Sequence, residues 1–227
     1  VEPGFLTSKG QLIPEGAFAS RYSFTTNALP IDAGNHYSLW NIWGFEFQFA
    51  LAKNFGIGLM TTWAGVPLVM TLKYSVHATE MLNFGAGALV GSGTWGDWDA
   101  AGVLPFGVLT IGNRQYNINA SAGYGYFWNG DSGGLSSSAF EPGGRALISI
   151  AGMAKLVGNV TLIFDTLIVP EEKLAIIFLP FFRWDRSSRK STSSNSDRAW
   201  QIGFVGVIHQ GEPLIAFPVV QFFWKLD

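Results

Sequence analysis

The sequence contains no cysteine. That excludes disulfides, thiolate metal sites and a lipidated N-terminal cysteine in the chain as given. Charge is also scarce: Asp, Glu, Lys and Arg make up 13% of the residues, about half of the ~25% usual in a soluble domain. The net charge of −2 offers no polybasic surface for nucleic acid. A long unbroken apolar helix is missing too. The longest charge-free run, "NFGIGLMTTWAGVPLVMTL", lies between Lys53 and Lys73 and spans 19 residues. It has the length of a spanning helix. However, Gly56, Gly58, Gly65 and Pro67 interrupt it, and Thr61 and Thr62 sit at its middle. It reads better as two strands meeting at a tight turn near Ala64-Gly65. The opening "VEPGFLTSKGQ" has no basic n-region and no apolar h-region, so a mature exported chain with its signal peptide removed is expected.

What is present points one way. Hydrophobic residues reach 48%, aromatics 15%, and there are 19 Phe, 9 Trp and 28 Gly. Mean hydropathy is +0.24. A hydrophobic chain without membrane helices has one other way to cross a bilayer, the closed β-barrel. "GFEFQFAL", residues 44–51, sets Phe45, Phe47, Phe49 and Leu51 against Gly44, Glu46, Gln48 and Ala50. On a strand these two sets point to opposite faces. "VPLVMTLKYSVH" sets Val66, Leu68, Met70, Leu72, Tyr74 and Val76 against Lys73, Ser75 and His77. "YNINASAGYGY", "MLNFGAGALV" and "AWQIGFVGVIH" alternate in the same manner.

Twelve strand-like segments are expected, at about 15–27, 39–51, 55–64, 66–77, 81–91, 101–112, 116–127, 145–154, 159–168, 174–185, 199–208 and 214–225. Each approaches the ~9–11 residues of a tilted membrane strand. Segments 101–112, 145–154 and 159–168 alternate poorly. Short connections (52–54, 78–80, 113–115, 155–158) interleave with long ones (28–38, 91–100, 128–144), as in outer-membrane barrels with short periplasmic turns and long external loops. The polar stretch 186–198, "RSSRKSTSSNSDR", breaks that pattern. Trp40, Trp43, Trp63, Trp128, Trp184, Trp200 and Trp224 fall near strand ends, where interfacial girdles place tryptophan. Parity assigns Trp40, Trp43, Trp63 and Trp128 to the external interface and Trp184, Trp200 and Trp224 to the periplasmic one.

The stretch 107–126, "GVLTIGNRQYNINASAGYGY", with the turn "AKNFGIG" (52–58) and "SIAGMAKLVGNVTLI" (149–163), resembles an uncharacterised group of outer-membrane β-barrel proteins of the Bacteroidota. The resemblance runs from about residue 39 to 168 and weakens in the last third. It implies a fold and a location, and supplies neither an activity nor catalytic residues.

Catalysis on the polar face would need Ser, His and a carboxylate or Asn within reach of one another. Ser75 and His77 share one face of a strand, but residues two apart lie about 7 Å apart, too far for a direct bond. A lumenal polar role is the better reading. Asp97 and Asp99 flank Trp98 in a glycine-rich loop but lack the ligand-rich spacing of a calcium site, and "NGDSGG" (129–134) is equally bare. "GAG" (85–87) and "GYG" (123–125) lie within strands rather than between strand and helix, so they are not phosphate loops. No catalytic residue, cofactor or metal is expected.

The reading is an all-β transmembrane antiparallel up-and-down barrel of about twelve strands. Residues 1–14 form an N-terminal periplasmic segment and 15–227 the barrel, with both termini periplasmic. Glu46, Gln48, Lys73, Ser75, Asn83, Asn117, Asn119, Ser121 and Gln201 face the lumen, which is either a narrow passage or plugged. The expected function is non-enzymatic: an accessory subunit of a larger envelope complex, or a narrow pore. The expected partners are outer-membrane lipid and other envelope proteins, with no nucleic acid. The competing readings are a membrane-embedded hydrolase and a soluble lipocalin-like β-protein with its apolar face inside.

Overall fold

A computed structural model of the chain describes residues 28, 36–42, 44–93, 100–113, 116–129, 143–157, 160–170, 175–186, 198–209 and 212–226. Twelve strands form one closed antiparallel barrel: β1 (His36–Asn41), β2 (Gly44–Ala52), β3 (Phe55–Thr62), β4 (Leu68–His77), β5 (Leu82–Ser92), β6 (Ala100–Gly112), β7 (Tyr116–Asn129), β8 (Gly143–Lys155), β9 (Val160–Val169), β10 (Ala175–Arg186), β11 (Arg198–His209) and β12 (Glu212–Leu226). Each strand pairs with its sequence neighbours, and β12 returns to pair with β1. The barrel has no helices among the described residues.

The count of twelve is reached by a different division of the chain. The segment expected as one strand over 39–51 is two strands, β1 and β2, joined by a hairpin at Ile42 and residue 43. The Asn41 side chain caps this turn, its Oδ1 accepting from the Gly44 N–H at 3.1 Å. An apolar run across a two-residue turn reads as continuous, and that hid the break. The segment 15–27 and the loops 94–99, 130–142 and 187–197 lie outside the described residues. The turn near Ala64-Gly65 is present: Gly65 has φ +80, and its N–H donates to the Thr62 carbonyl at 2.9 Å.

Many strand glycines lie beneath a bulky neighbour, on both faces of the wall. A Cβ at Gly144 would strike the Tyr124 ring, at Gly152 the Phe164 ring, and at Gly206 the Phe178 ring. On the other face Gly87 lies beneath Phe106, Gly102 beneath Phe127 and Gly203 beneath Phe181. Such aromatic-over-glycine pairs fix register, because a shifted strand would put the ring on a side chain.

Two prolines locally open the sheet. Pairing of β6 with β7 lapses at Leu104 and Pro105, and pairing of β10 with β11 lapses at Leu179 and Pro180. Proline has no N–H to give the ladder. In both places the proline carbonyl crowds a glycine on the next strand, Gly123 and Gly203.

Candidate functional site

Register fixes the two faces of the wall. Leu39, Glu46, Met60 and Val69 lie opposite one another on successive strands, as do Trp40, Phe45, Thr61 and Leu68. Following the first set round the barrel gives the inner face, and the second gives the outer. Much of the inner face is buried: Thr110, Ser149, Asp165 and Gln201 are 0% exposed. The outer face carries the exposed apolar side chains, among them Leu72, Tyr74, Ile118, Tyr124 at 59% and Phe204 at 54%.

Charge is sorted by face. Glu46, Lys73, Arg145, Lys155, Asp165 and Arg183 all belong to the inner set. Among the residues whose side chains are described, the outer face of the strands carries charge only at a strand end, at Arg198.

All nine residues read as lumen-facing lie on the inner set. Glu46, Ser75, Asn83, Asn117, Asn119, Ser121 and Gln201 are buried, and Gln48 and Lys73 are half-buried. They fall into separate groups. Gln48 Nε2 donates to Glu46 Oε1 at 2.7 Å. His77 Nδ1 is bonded to Asn83 Oδ1 at 2.6 Å, so Nδ1 carries the proton if Asn83 presents its oxygen. Ser75, 1% exposed, has no side-chain hydrogen bond to His77 among the described residues, so no Ser–His relay is formed. Thr110 Oγ1 donates to Asn119 Oδ1 at 2.6 Å, and Asn119 Nδ2 donates to Asn117 Oδ1 at 3.0 Å. Gln201 Nε2 donates to Gln221 Oε1. No group of three His, Asp or Glu side chains suited to a metal occurs among the described residues.

One residue upstream of β1, Ala28, lies in the interior. Ala28 is 0% exposed, packed with Leu104, Phe106, Val108 and Leu167. Its N–H donates to Thr110 Oγ1 at 2.7 Å. The small inner wall makes room here, since a Cβ on Gly85 would come within 3.3 Å of the Ala28 Cβ.

Sequence reasoning missed the strongest inner residues. Arg183 is 1% exposed, with its guanidinium 4.7 Å from the centroid of the Phe223 ring. Asp165 accepts from Ser149 Oγ at 3.1 Å. A usable signal existed. Each is a lone charge inside an apolar run, "TLIFDTLIV" and "FLPFFRW", and a barrel with an apolar exterior can put such a charge only inside.

The tryptophans need one correction. Trp184 and Trp200 stack at 4.6 Å near the same rim. Trp40, however, is 5.6 Å from Trp63 and 5.9 Å from Trp224, so Trp40 and Trp224 do not stand at opposite ends of the barrel. The reason is the short β1. Ser38 lies opposite Trp224 in the register, and Trp40 is only two residues further on. Phe45 and Phe47 complete an aromatic seam along the outside of β12, β1, β2 and β3. Within it the indole N–H groups bond to the protein: Trp40 donates to Ser38 Oγ at 3.1 Å and Trp63 to the Asn41 carbonyl at 3.0 Å. Trp128 is half-exposed near the end of β7, and Trp43 lies outside the described residues.

The site is thus a closed antiparallel barrel with a sorted wall, apolar on the outside between its strand ends and charged within. No family model, curated protein or solved structure matches this chain.

Proposed function

We propose that the chain is an integral outer-membrane β-barrel that serves as a closed, non-enzymatic subunit of the cell envelope rather than as a solute pore. One observation carries this reading: charged side chains within the strands lie on the inner face, while the outer face between strand ends is apolar. A soluble lipocalin-like barrel would do the reverse. An exposed apolar surface of this extent is stable only against lipid or a partner, and a charge on the lipid face costs about 2–4 kcal/mol at the midplane.

Closure is supported by the inner side chains. An aqueous channel needs wetted walls, whereas Asp165, Gln201, Ser149 and Thr110 have no exposed surface. Two apolar clusters fill other parts of the interior. The resemblance to Bacteroidota outer-membrane barrels agrees with an envelope location. The rim bearing the short turns at 53–54, 78–81 and 113–115 is then the periplasmic one.

The test is reconstitution. The purified protein is expected to float with liposomes on a density gradient and to give no unit conductance steps in a planar bilayer. Failure to float removes the membrane reading. Flotation with reproducible conductance steps converts the subunit into a narrow pore.

A further inference from the structure

One outward charge interrupts the apolar exterior. β9 leaves the rim of short turns after the Leu156 N–H donates to the Val160 carbonyl, β10 returns to that rim, and β11 starts from it at Arg198. Arg198 is exposed and shares the outer face of β11 with Trp200, Ile202 and Phe204. Among the described residues it has no ion-pair or hydrogen-bond partner. Arg186 holds the directly opposed ladder position on β10. Two like charges at opposed positions disfavour the pairing, and an anion shared between them reverses the sign.

Aromatic rings flank that cation. Trp224 lies directly opposite Arg198 in the register, and Trp200 is two residues further along β11 on the same face. Trp200 stacks on Trp184 at 4.6 Å, and Trp224 on Phe222 at 6.2 Å. The indole donors here differ from those on β1 and beyond β3. Trp40 and Trp63 give their N–H groups to the protein, at Ser38 Oγ and the Asn41 carbonyl. The N–H groups of Trp184, Trp200 and Trp224 have no acceptor among the described residues. A tryptophan N–H taken out of water usually finds a partner. The patch thus presents a guanidinium and three indole donors without a protein acceptor. Beyond it along the strands the outer face is hydrocarbon, with Ile202, Phe204 and Phe222 exposed.

We propose that this patch binds an anionic phospholipid of the leaflet at the short-turn rim, its phosphate at Arg198 and its acyl chains along Phe222, Ile202 and Phe204. The proposal rests on the membrane reading above. Chemistry selects the occupant. A guanidinium offers paired N–H donors that match a phosphate. Indole N–H groups at a bilayer interface turn toward its polar layer, where the glycerol and ester oxygens lie. The exposed side chains beyond need an apolar neighbour, which the acyl chains supply. A soluble anion would satisfy the donors and leave that hydrocarbon wet. A zwitterionic lipid carries its own cation beside the phosphate, so it gains less from Arg198.

The experiment reconstitutes the full chain and its Arg198→Gln variant into palmitoyl-oleoyl phosphatidylcholine vesicles. Each vesicle carries a trace of phosphatidylglycerol or of phosphatidylcholine with a diazirine on the acyl chain near the ester. The vesicles are irradiated and the adducts mapped by mass spectrometry. Tyr116 and Ile118, exposed on the outer face of β7 toward the same rim, are the reference. In the native sequence the phosphatidylglycerol probe is expected to label residues 200–204 and 222–224, relative to the reference, about five times as strongly as the phosphatidylcholine probe does, the worth of one basic residue beside an anionic lipid. Arg198→Gln should abolish that preference and leave labelling at 116–118 unchanged. An equal ratio for the two probes, or a preference that survives Arg198→Gln, overturns the site and leaves the membrane reading standing. No adduct of either probe anywhere on the outer face overturns the membrane reading itself. Loss of the preference in inorganic phosphate at constant ionic strength would assign the donors to a soluble anion. Labelling at 116–118 with none at 200–204 or 222–224 would assign the patch to a protein partner. Either of these two results overturns the lipid site.

Discussion

The inside of the barrel differs between its two halves. Along β4 to β7 the interior near the short turns is a set of directed hydrogen bonds, His77 with Asn83 and Thr110 with Asn119 and Asn117, and further along the strands Leu104, Phe106 and Val108 pack with Ala28. Along β8 to β12 it is a hydrocarbon core of Met153, Ile163, Leu179, Phe181, Val205 and Val219, with Arg183, Gln201 and Gln221 beyond it. The outside does not differ: Leu72 and Tyr74 on one half are exposed much as Phe182 and Phe204 are on the other. One exterior thus encloses two kinds of interior. The bilayer constrains only the outer face, and either a polar network or an apolar core can fill the space within, provided the network's members are paired.

The largest effect is expected in the apolar half. Phe181 is 1% exposed, lies over Gly203 and packs within the buried cluster of Met153, Ile163, Leu179, Val205 and Val219. Phe181→Ala should destabilise by about 3–5 kcal/mol, measured by urea titration of folding into lipid vesicles. A cost below about 1 kcal/mol, within the range of ordinary surface changes, would show that this half is loosely packed and would dissolve the contrast.

The outer face should respond alike on both halves. Leu72→Arg on β4 and Phe204→Arg on β11 each put a guanidinium on the exposed apolar face near mid-strand. Each should cost about 2–4 kcal/mol if near the midplane, in the same titration. A penalty at one site and none at the other would mean that the halves face different surroundings, as they would if one were covered by a protein partner.

The same contrast explains what could be read in the sequence. Alternation was plain in 66–77 and 116–127 because inner Lys73, Ser75, Asn117, Asn119 and Ser121 oppose outer Leu72, Tyr74, Ile118 and Tyr124. It faded in 101–112, 145–154 and 159–168 because the inner set there includes Leu104, Phe106, Val108, Leu147, Met153, Ile163 and Leu167. A strand that is apolar on both faces has no period to detect. The strands themselves were found, since length and turn residues survive that loss. The β1–β2 hairpin leaves no compositional trace, because it is a two-residue turn between aromatic stretches. The single charges Asp165 and Arg183 were legible in principle, because an apolar exterior leaves a mid-strand charge only one direction to point.

The smallest effect should come from the polar half, and its form matters more than its size. Asn119 accepts from Thr110 Oγ1 and donates to Asn117 Oδ1, and Thr110 Oγ1 in turn accepts from the Ala28 N–H. Asn119→Ala removes one member and strands two buried groups, at about 1–3 kcal/mol. Thr110→Val removes the other member and leaves the Ala28 N–H without its acceptor, at a similar cost. If these bonds form one network, the double variant should cost less than the sum of the two singles by at least ~0.5 kcal/mol, because the Thr110–Asn119 bond can be lost only once. Side chains that share no bond or contact would instead give additive costs. Additivity would therefore refute the division of the interior into a bonded half and a packed half, even if each single variant weakened the barrel as expected.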